Sequence, residues 1–262
     1  MSAETSNPRQ RVFITGASSG LGAALAAHYA ARGAQLGLVA RRADVLATVA
    51  GRLPGTPATY VADVADARAM AAAAGDFMAR FGVPDIVIAN AGVSVGTLTE
   101  HAEDTEVFHR VVRTNVVGLA ATFQAFVAPM REAGRGRLVG IASVAGMRGL
   151  PGAGAYSASK AAAITYLEAL RIELRASGVR VVTVCPGYIA TPMTAVNRYR
   201  MPFILPADVA ARRIARVIDA GRRYAVVPWQ MAVVARVMRL LPNALYDRLF
   251  TRAGRKPRGL DL

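Results

Sequence analysis

The chain has 262 residues, 53% of them hydrophobic, with a formal net charge of +15. That length and apolar content suffice for one large core, so a single domain over 1–262 is expected. The only cysteine, Cys185, excludes an intrachain disulfide and a cysteine-cluster metal site, and its setting in VRVVTVCP suggests a buried, inert thiol. His28, His101 and His109 lack ligand spacing, so no metal site is assigned.

No run of 18 apolar residues and no apolar h-region in MSAETSNPRQ is present, which argues against a membrane span and a secretory signal. A cytoplasmic protein is therefore expected. The charge is uneven: residues 198–262 hold 14 basic and 4 acidic side chains. Such a balance serves solubility or contact with a polyanion. Nucleic acid is disfavoured, because no aromatic-rich RNA motif or zinc-finger spacing accompanies the charge.

In chain order, RVFIT (11–15) predicts a first strand, followed by a glycine turn and a helix to about Arg32. QLGLVA (35–40) and ATYVAD (58–63) predict the next two strands, with helices over 43–53 and 66–81. A fourth strand ends near Asn90, and one long helix or two cover 104–131. GRLVGIAS (136–143) is a fifth strand, leading to the helix AYSASKAAAITYLEALRIELRAS. VRVVTVCP (179–186), a helix over 208–221 and a last strand YAVVP (224–228) follow. Strands apolar on both faces, alternating with helices, predict α/β architecture: a doubly wound parallel sheet of about seven strands in three layers.

The turn after the first strand, Thr15-Gly16-Ala17-Ser18-Ser19-Gly20-Leu21-Gly22, can bring main-chain N–H groups and a helix N-terminus against a pyrophosphate. At the end of the second strand stand Arg41 and Arg42, with no acid before Asp44. A ribose 2′-hydroxyl there calls for a carboxylate, whereas a 2′-phosphate suits a guanidinium, so NADP(H) is favoured over NAD(H). Arg41 is preferred for that role, with Arg42 the easier to assign to a solvated helix start.

Tyr156 and Lys160 are four apart, so on a helix they share a face. An ammonium beside a phenol favours the phenolate and suits the tyrosine to proton transfer. Thirty of the 32 basic residues are Arg, and only Lys160 and Lys256 are Lys. A compact ammonium at 160 is thus a specific requirement.

Taken together, TGASSGLG (15–22), Asp63-Val64, Asn90-Ala91-Gly92, Asn115, Ser143, Tyr156-x-x-x-Lys160 and Pro186-Gly187 with Thr191 strongly resemble the short-chain dehydrogenase/reductase family over roughly residues 10–228. The resemblance implies a Rossmann fold and hydride transfer between a nicotinamide and a carbonyl/alcohol pair. It makes Tyr156 the general acid/base, Lys160 its activator and a ribose ligand, and Ser143 the group on the substrate oxygen. Asn115 would anchor a water in the proton path to Lys160. Gly16, Ser18, Gly20, Leu21 and Gly22 would line the pyrophosphate, and Ser19 with Arg41 the 2′-phosphate. Asp63 and Val64 would meet the adenine, Asn90 and Gly92 the adjoining ribose, and Pro186, Gly187, Ile189 and Thr191 the nicotinamide. Position 89 is Ala where many members have a second Asn.

Residues 193–206 match the family's lid and are mostly apolar, which suggests a hydrophobic small-molecule substrate. The family commonly pairs through its two long helices, here about 104–131 and 154–177, which implies a homodimer or homotetramer. Residues 229–262 extend beyond the last strand. Trp229–Leu241 is apolar nearly all round, with Arg236 and Arg239 on one flank, and Pro242 should end it before a second short helix. Three roles stay open for 229–250: a dimer arm or pocket cover, an interfacial membrane helix, or a helix packed on its own domain. The ends, 1–10 and RKPRGLDL, are expected to be loose. The competing function is a non-catalytic dinucleotide-binding or membrane-surface regulatory protein of the same fold.

Overall fold

The computed structural model describes residues 9–259. Its strands are β1 (Arg11–Thr15), β2 (Gln35–Ala40), β3 (Ala58–Val61), β4 (Ile86–Ala89), β5 (Arg137–Ile141), β6 (Arg180–Pro186), β7 (Ile189–Ala190), β8 (Leu205–Pro206) and β9 (Tyr224–Val227). Seven of them form one sheet in the order β3-β2-β1-β4-β5-β6-β9, every neighbouring pair parallel. The short β7 and β8 pair with each other and so close the base of the segment 193–206.

Helices cover both faces of the sheet: α1 (Gly20–Ala30), α2 (Ala43–Gly51), α3 (Ala67–Phe81), α4 (Asp104–Val112), α5 (Gly118–Glu132), α6 (Gly154–Glu173), α7 (Pro192–Ala195) and α8 (Ala207–Asp219). Alternate strand residues feed opposite layers. Val12 and Ile14 join Leu25 of α1 and Ile214 of α8 in one core, while Phe13 joins Phe77 of α3 and Phe126 of α5 in the other. The Phe13 ring meets Phe77 edge-on at 5.4 Å and Phe126 at 4.9 Å. Truncating it to alanine would leave a cavity costing about 3–5 kcal/mol. Both faces of the sheet need apolar side chains, which is why the strands lack polar alternation.

The order of the sheet reverses direction at β1, since β2 and β3 lie to one side and β4 onward to the other. Loops leaving the carboxyl ends of β1 and β4 therefore splay apart and open a crevice, the place where such sheets bind ligands. Between α4 and α5 the helix does not break. Residues Arg113–Val117 form one π turn, an insertion that often marks a functional position. The whole run Asp104–Glu132 is long and apolar enough to cross a membrane by length and composition. Its Leu119, Phe123, Phe126 and Met130, however, are buried in the second core.

Beyond β9 come α9 (Trp229–Leu240) and α10 (Asn243–Phe250), separated at Pro242 as expected. Proline cannot supply the N–H that would continue α9. The expectation of a loose end is corrected over 255–259, while residues 1–8 and 260–262 fall outside the described residues. Lys256 is buried, and its Nζ donates to the Met193 carbonyl at 2.9 Å. The Gly96 N–H donates to the Pro257 carbonyl at 2.9 Å. Arg258 donates to Asp104 at 2.7 Å and to Glu103 at 2.9 Å. Burying an ammonium requires a partner, and this one has it in the lid. Composition alone could not show contacts made across such sequence distances.

Candidate active site

A single cleft of about 900 Å³ runs along the carboxyl ends of the strands. At one end lies the turn between β1 and α1. Gly16 has φ +66°, and a Cβ on Gly22 would stand 2.1 Å from the Gly16 carbonyl oxygen. No side chain there would let the helix start this close to the strand. Ser19, the residue before α1, makes no side-chain capping bond. The first N–H groups of α1 thus have no helical acceptor, and Ser19, Gly20 and Leu21 line the cleft. An uncapped helix start with a positive dipole end fits a pyrophosphate.

Arg41 and Arg42 both line this end of the cleft. Arg42 is the residue whose guanidinium reaches back, with Nη2 3.5 Å from both Ser18 Oγ and Ser19 Oγ. Residue 42 is extended (φ −90°, ψ 105°) before α2 begins, which the sequence could not reveal. Asp63 lines the next stretch while its carboxylate accepts from the Ala65 N–H at 2.9 Å. Asn90 does more than border a ribose. Its amide donates to the carbonyls of Thr15 at 3.0 Å and Gly16 at 3.2 Å, clipping β4 to the glycine turn.

At the other end stand Ser143, Tyr156 and Lys160. Ser143 follows β5, and its Oγ accepts from the Ala145 N–H at 3.1 Å. With a lone pair so engaged, its one proton is left to donate toward the Tyr156 oxygen or a substrate oxygen. The first turns of α6 carry Tyr156 and Lys160. Lys160 is buried, its Nζ donates to the Ile141 carbonyl at 2.8 Å, and it lies 5.8 Å from the Tyr156 ring centroid. Burial brings its pKa down to about 8. Burial pushes the Tyr156 phenol above its ordinary value, and a hydrogen bond with Ser143 pulls it back.

Of the residues expected at the site, all but Gly22 and Asn115 line the cleft, including Val64, Gly92, Pro186, Gly187, Ile189 and Thr191. Gly22 sits where a Cβ would stand 2.1 Å from the Gly16 carbonyl oxygen, so it serves the close packing of α1 on the turn. Asn115 stands one step behind. Buried in the π turn, its Oδ1 accepts from the Val93 N–H at 2.8 Å, and its Nδ2 donates to the Val93 carbonyl and to Ser159 Oγ, each at 2.9 Å. Ser159 Oγ in turn donates to the Tyr156 carbonyl at 2.8 Å. Asn115 thus ties the loop after β4 to the helix turn that carries the tyrosine. Ser159 was not singled out in the sequence, where a small polar residue inside a helix gives no signal of its own.

Residues of the segment 193–206 close in on this end of the cleft. Met193, Thr194 and Val196 line the cleft, and Tyr188 and Tyr199 meet edge-on at 6.3 Å. Cys185 beneath them is buried, its thiol pushed up to about 11, as expected for a packing residue.

A parallel sheet whose strand-end cleft joins a glycine-lined helix start to a serine, tyrosine and lysine defines a dinucleotide-binding oxidoreductase. This chain belongs to the short-chain dehydrogenase/reductase family: the family model described as short chain dehydrogenase matches residues 10–201. It is 40% identical over 238 residues to an uncharacterized oxidoreductase of Myxococcus xanthus, an alignment covering 90% of this chain and 94% of the relative. The fold superposes on 3-ketoacyl-(acyl-carrier-protein) reductase from Brucella melitensis complexed with NADH, with TM-score 0.75 and 27% identity over 83% of this chain and 96% of that one. An alcohol dehydrogenase from Thermococcus sibiricus complexed with 5-hydroxy-NADP gives 0.73 and 26% over 84% and 96%. The protein is an oxidoreductase acting on CH–OH groups.

Proposed function

We propose that the enzyme interconverts a hydrophobic ketone or aldehyde and its alcohol with NADP(H), Tyr156 acting as general acid/base. One observation carries this reading: a single cleft holds the uncapped start of α1 with Arg41 and Arg42 at one end and Ser143, Tyr156 and Lys160 at the other. When bound, the dinucleotide supplies or accepts the hydride at the substrate carbon.

The side chains do the rest. Ser143 donates its proton to the substrate oxygen and stabilises the charge that develops there. Burial keeps the Tyr156 phenol protonated at neutral pH, so in reduction it gives its proton to that oxygen. Lys160, anchored on the Ile141 carbonyl, holds a positive charge at the cofactor ribose, and Asn115 fixes the helix turn from behind. Arg42 and Arg41 select the 2′-phosphate, since a planar guanidinium can bind it through paired hydrogen bonds. Met193 and Val196 in the cleft support an apolar substrate. Exposed Phe108, Val117 and Ile172 on the two long helices support a homodimer or homotetramer joined there.

The test is a screen of aromatic, long-chain and polycyclic ketones and alcohols, following reduced-cofactor absorbance with both NADPH and NADH. Turnover of an apolar carbonyl with NADPH preferred is the expected result. A preference for NADH, or turnover confined to small polar substrates, contradicts the respective part of the proposal.

A further inference from the structure

The inner side of α9 packs on the sheet through Met231 and Ala235, with Met231 against Gly187. The opposite side is apolar as well. Trp229 is 69% exposed, Leu240 83%, and Val233 and Val237 about half. Their spacing of four, four and three residues places them on one helical stripe. Leu245 and Leu249 add a second exposed pair on α10.

This face is held rigidly. Arg148 donates to the carbonyls of Met238 and Leu241, each at 2.6 Å, and to Asn243 Oδ1 at 2.8 Å. Its guanidinium lies 3.9 Å from the Tyr246 ring centroid, and the Tyr246 hydroxyl donates to the Gly149 carbonyl at 2.7 Å. The two helices therefore form a fixed ledge, not a free arm.

Charge decides what covers the ledge. Residues 229–259 carry seven basic side chains and one acidic one. Arg236 lies within the exposed stripe, and Arg248 and Arg252 lie on or just after α10, all exposed. Among the described residues, none of these three pairs with a carboxylate. A second copy docked by two-fold symmetry would set these arginines against themselves. An anionic membrane offers phosphates to the arginines and an apolar layer to the stripe. At about 18 Å, the twelve residues of α9 are too short to span a bilayer, so the contact lies in the interface plane.

We propose that the outward face of α9 and α10 is a docking surface for an anionic lipid membrane. Trp229, Val233, Val237 and Leu240 enter the headgroup–acyl boundary, and Arg236 and Arg248 meet lipid phosphates. This inference does not depend on the cofactor or substrate assigned above.

Trp229 is the only tryptophan of the chain, so its fluorescence reports on the ledge directly. The full chain is titrated with vesicles of phosphatidylcholine and phosphatidylglycerol in equal parts, and with phosphatidylcholine alone. The expected result is a blue-shifted emission shielded from acrylamide, with co-sedimentation. Affinity should be at least about tenfold weaker for the neutral vesicles and reduced by added salt. Arg236→Gln with Arg248→Gln should weaken binding about tenfold. Leu240→Asp with Val237→Asp should abolish it while leaving the circular dichroism unchanged; if that variant does not fold, the arginine pair still decides. Unchanged emission and no sedimentation with anionic vesicles overturns the proposal. So does a blue shift in vesicle-free buffer that tracks protein concentration and a doubled mass, which assigns the face to a second copy.

Discussion

The strand-end cleft and the C-terminal ledge handle polar groups in opposite ways. In the cleft, buried polar side chains close on one another or on main chain: Asn115 on Val93 and Ser159, Asn90 on the glycine turn, Lys160 on Ile141. On the ledge, apolar side chains face outward, and Arg236, Arg248 and Arg252 have no carboxylate partner among the described residues. The first pattern holds reacting atoms in place, because an unpaired buried polar group is costly and a paired one rigid. The second is a surface whose partner is another body. Two further contacts fix the surroundings: Lys256 pins Met193, and Arg148 pins the ledge to the loop after β5.

Breaking the cleft side should have the largest effect. Ser143→Ala removes the donor to the substrate oxygen and should lower kcat about 10²–10³-fold, with NADPH affinity nearly unchanged. Steady-state kinetics beside a cofactor titration check this split. A second change sharpens the roles of the two arginines. Arg42→Ala should cut the NADPH-over-NADH preference roughly ten- to a hundredfold, more than Arg41→Ala does, because Arg42 reaches Ser18 and Ser19. The ratio of kcat/KM for the two cofactors measures it.

Much of this was legible in the sequence. Doubly apolar strands announced the parallel sheet, and each strand-end motif fell into one cleft because ligands gather where parallel strands end. Two site residues do not line the cleft themselves. Gly22 carries the close approach of helix to turn without facing the cleft, and Asn115 acts through Val93 and Ser159. Motif spacing fixes a residue's place on an element, not the direction of its side chain. Arg42 illustrates the same limit, since its reach back to Ser18 and Ser19 is not readable from the sequence. The docking of the tail was hidden because its partners lie 63 and 154 positions away. Its one trace was Lys256 itself, the second lysine in a chain that otherwise writes arginine.

The smallest effect concerns that lysine and tests how the tail holds the cleft side. Burial lowers Lys256 from the ordinary 10.5 to about 8. Between those values the unfolded chain holds a proton that the folded chain has released, so stability rises with pH across that window. Lys160, lowered for the same reason, adds a rise of the same sign. Lys256→Met should flatten the rise by about 1–2 kcal/mol in urea unfolding followed at several pH values. It should also raise KM for an apolar substrate more than it lowers kcat, because the lid loses its anchor.

The most direct measurement of the central claim is a single-turnover comparison of wild type and Tyr156→Phe with NADPH and an apolar ketone, beside the NADPH Kd of each. Removing only the phenolic oxygen should leave the Kd within about twofold and slow hydride transfer by about 10²–10⁴-fold. A variant that turns over at the wild-type rate would contradict Tyr156 as the proton donor and place the chemistry of the cleft elsewhere.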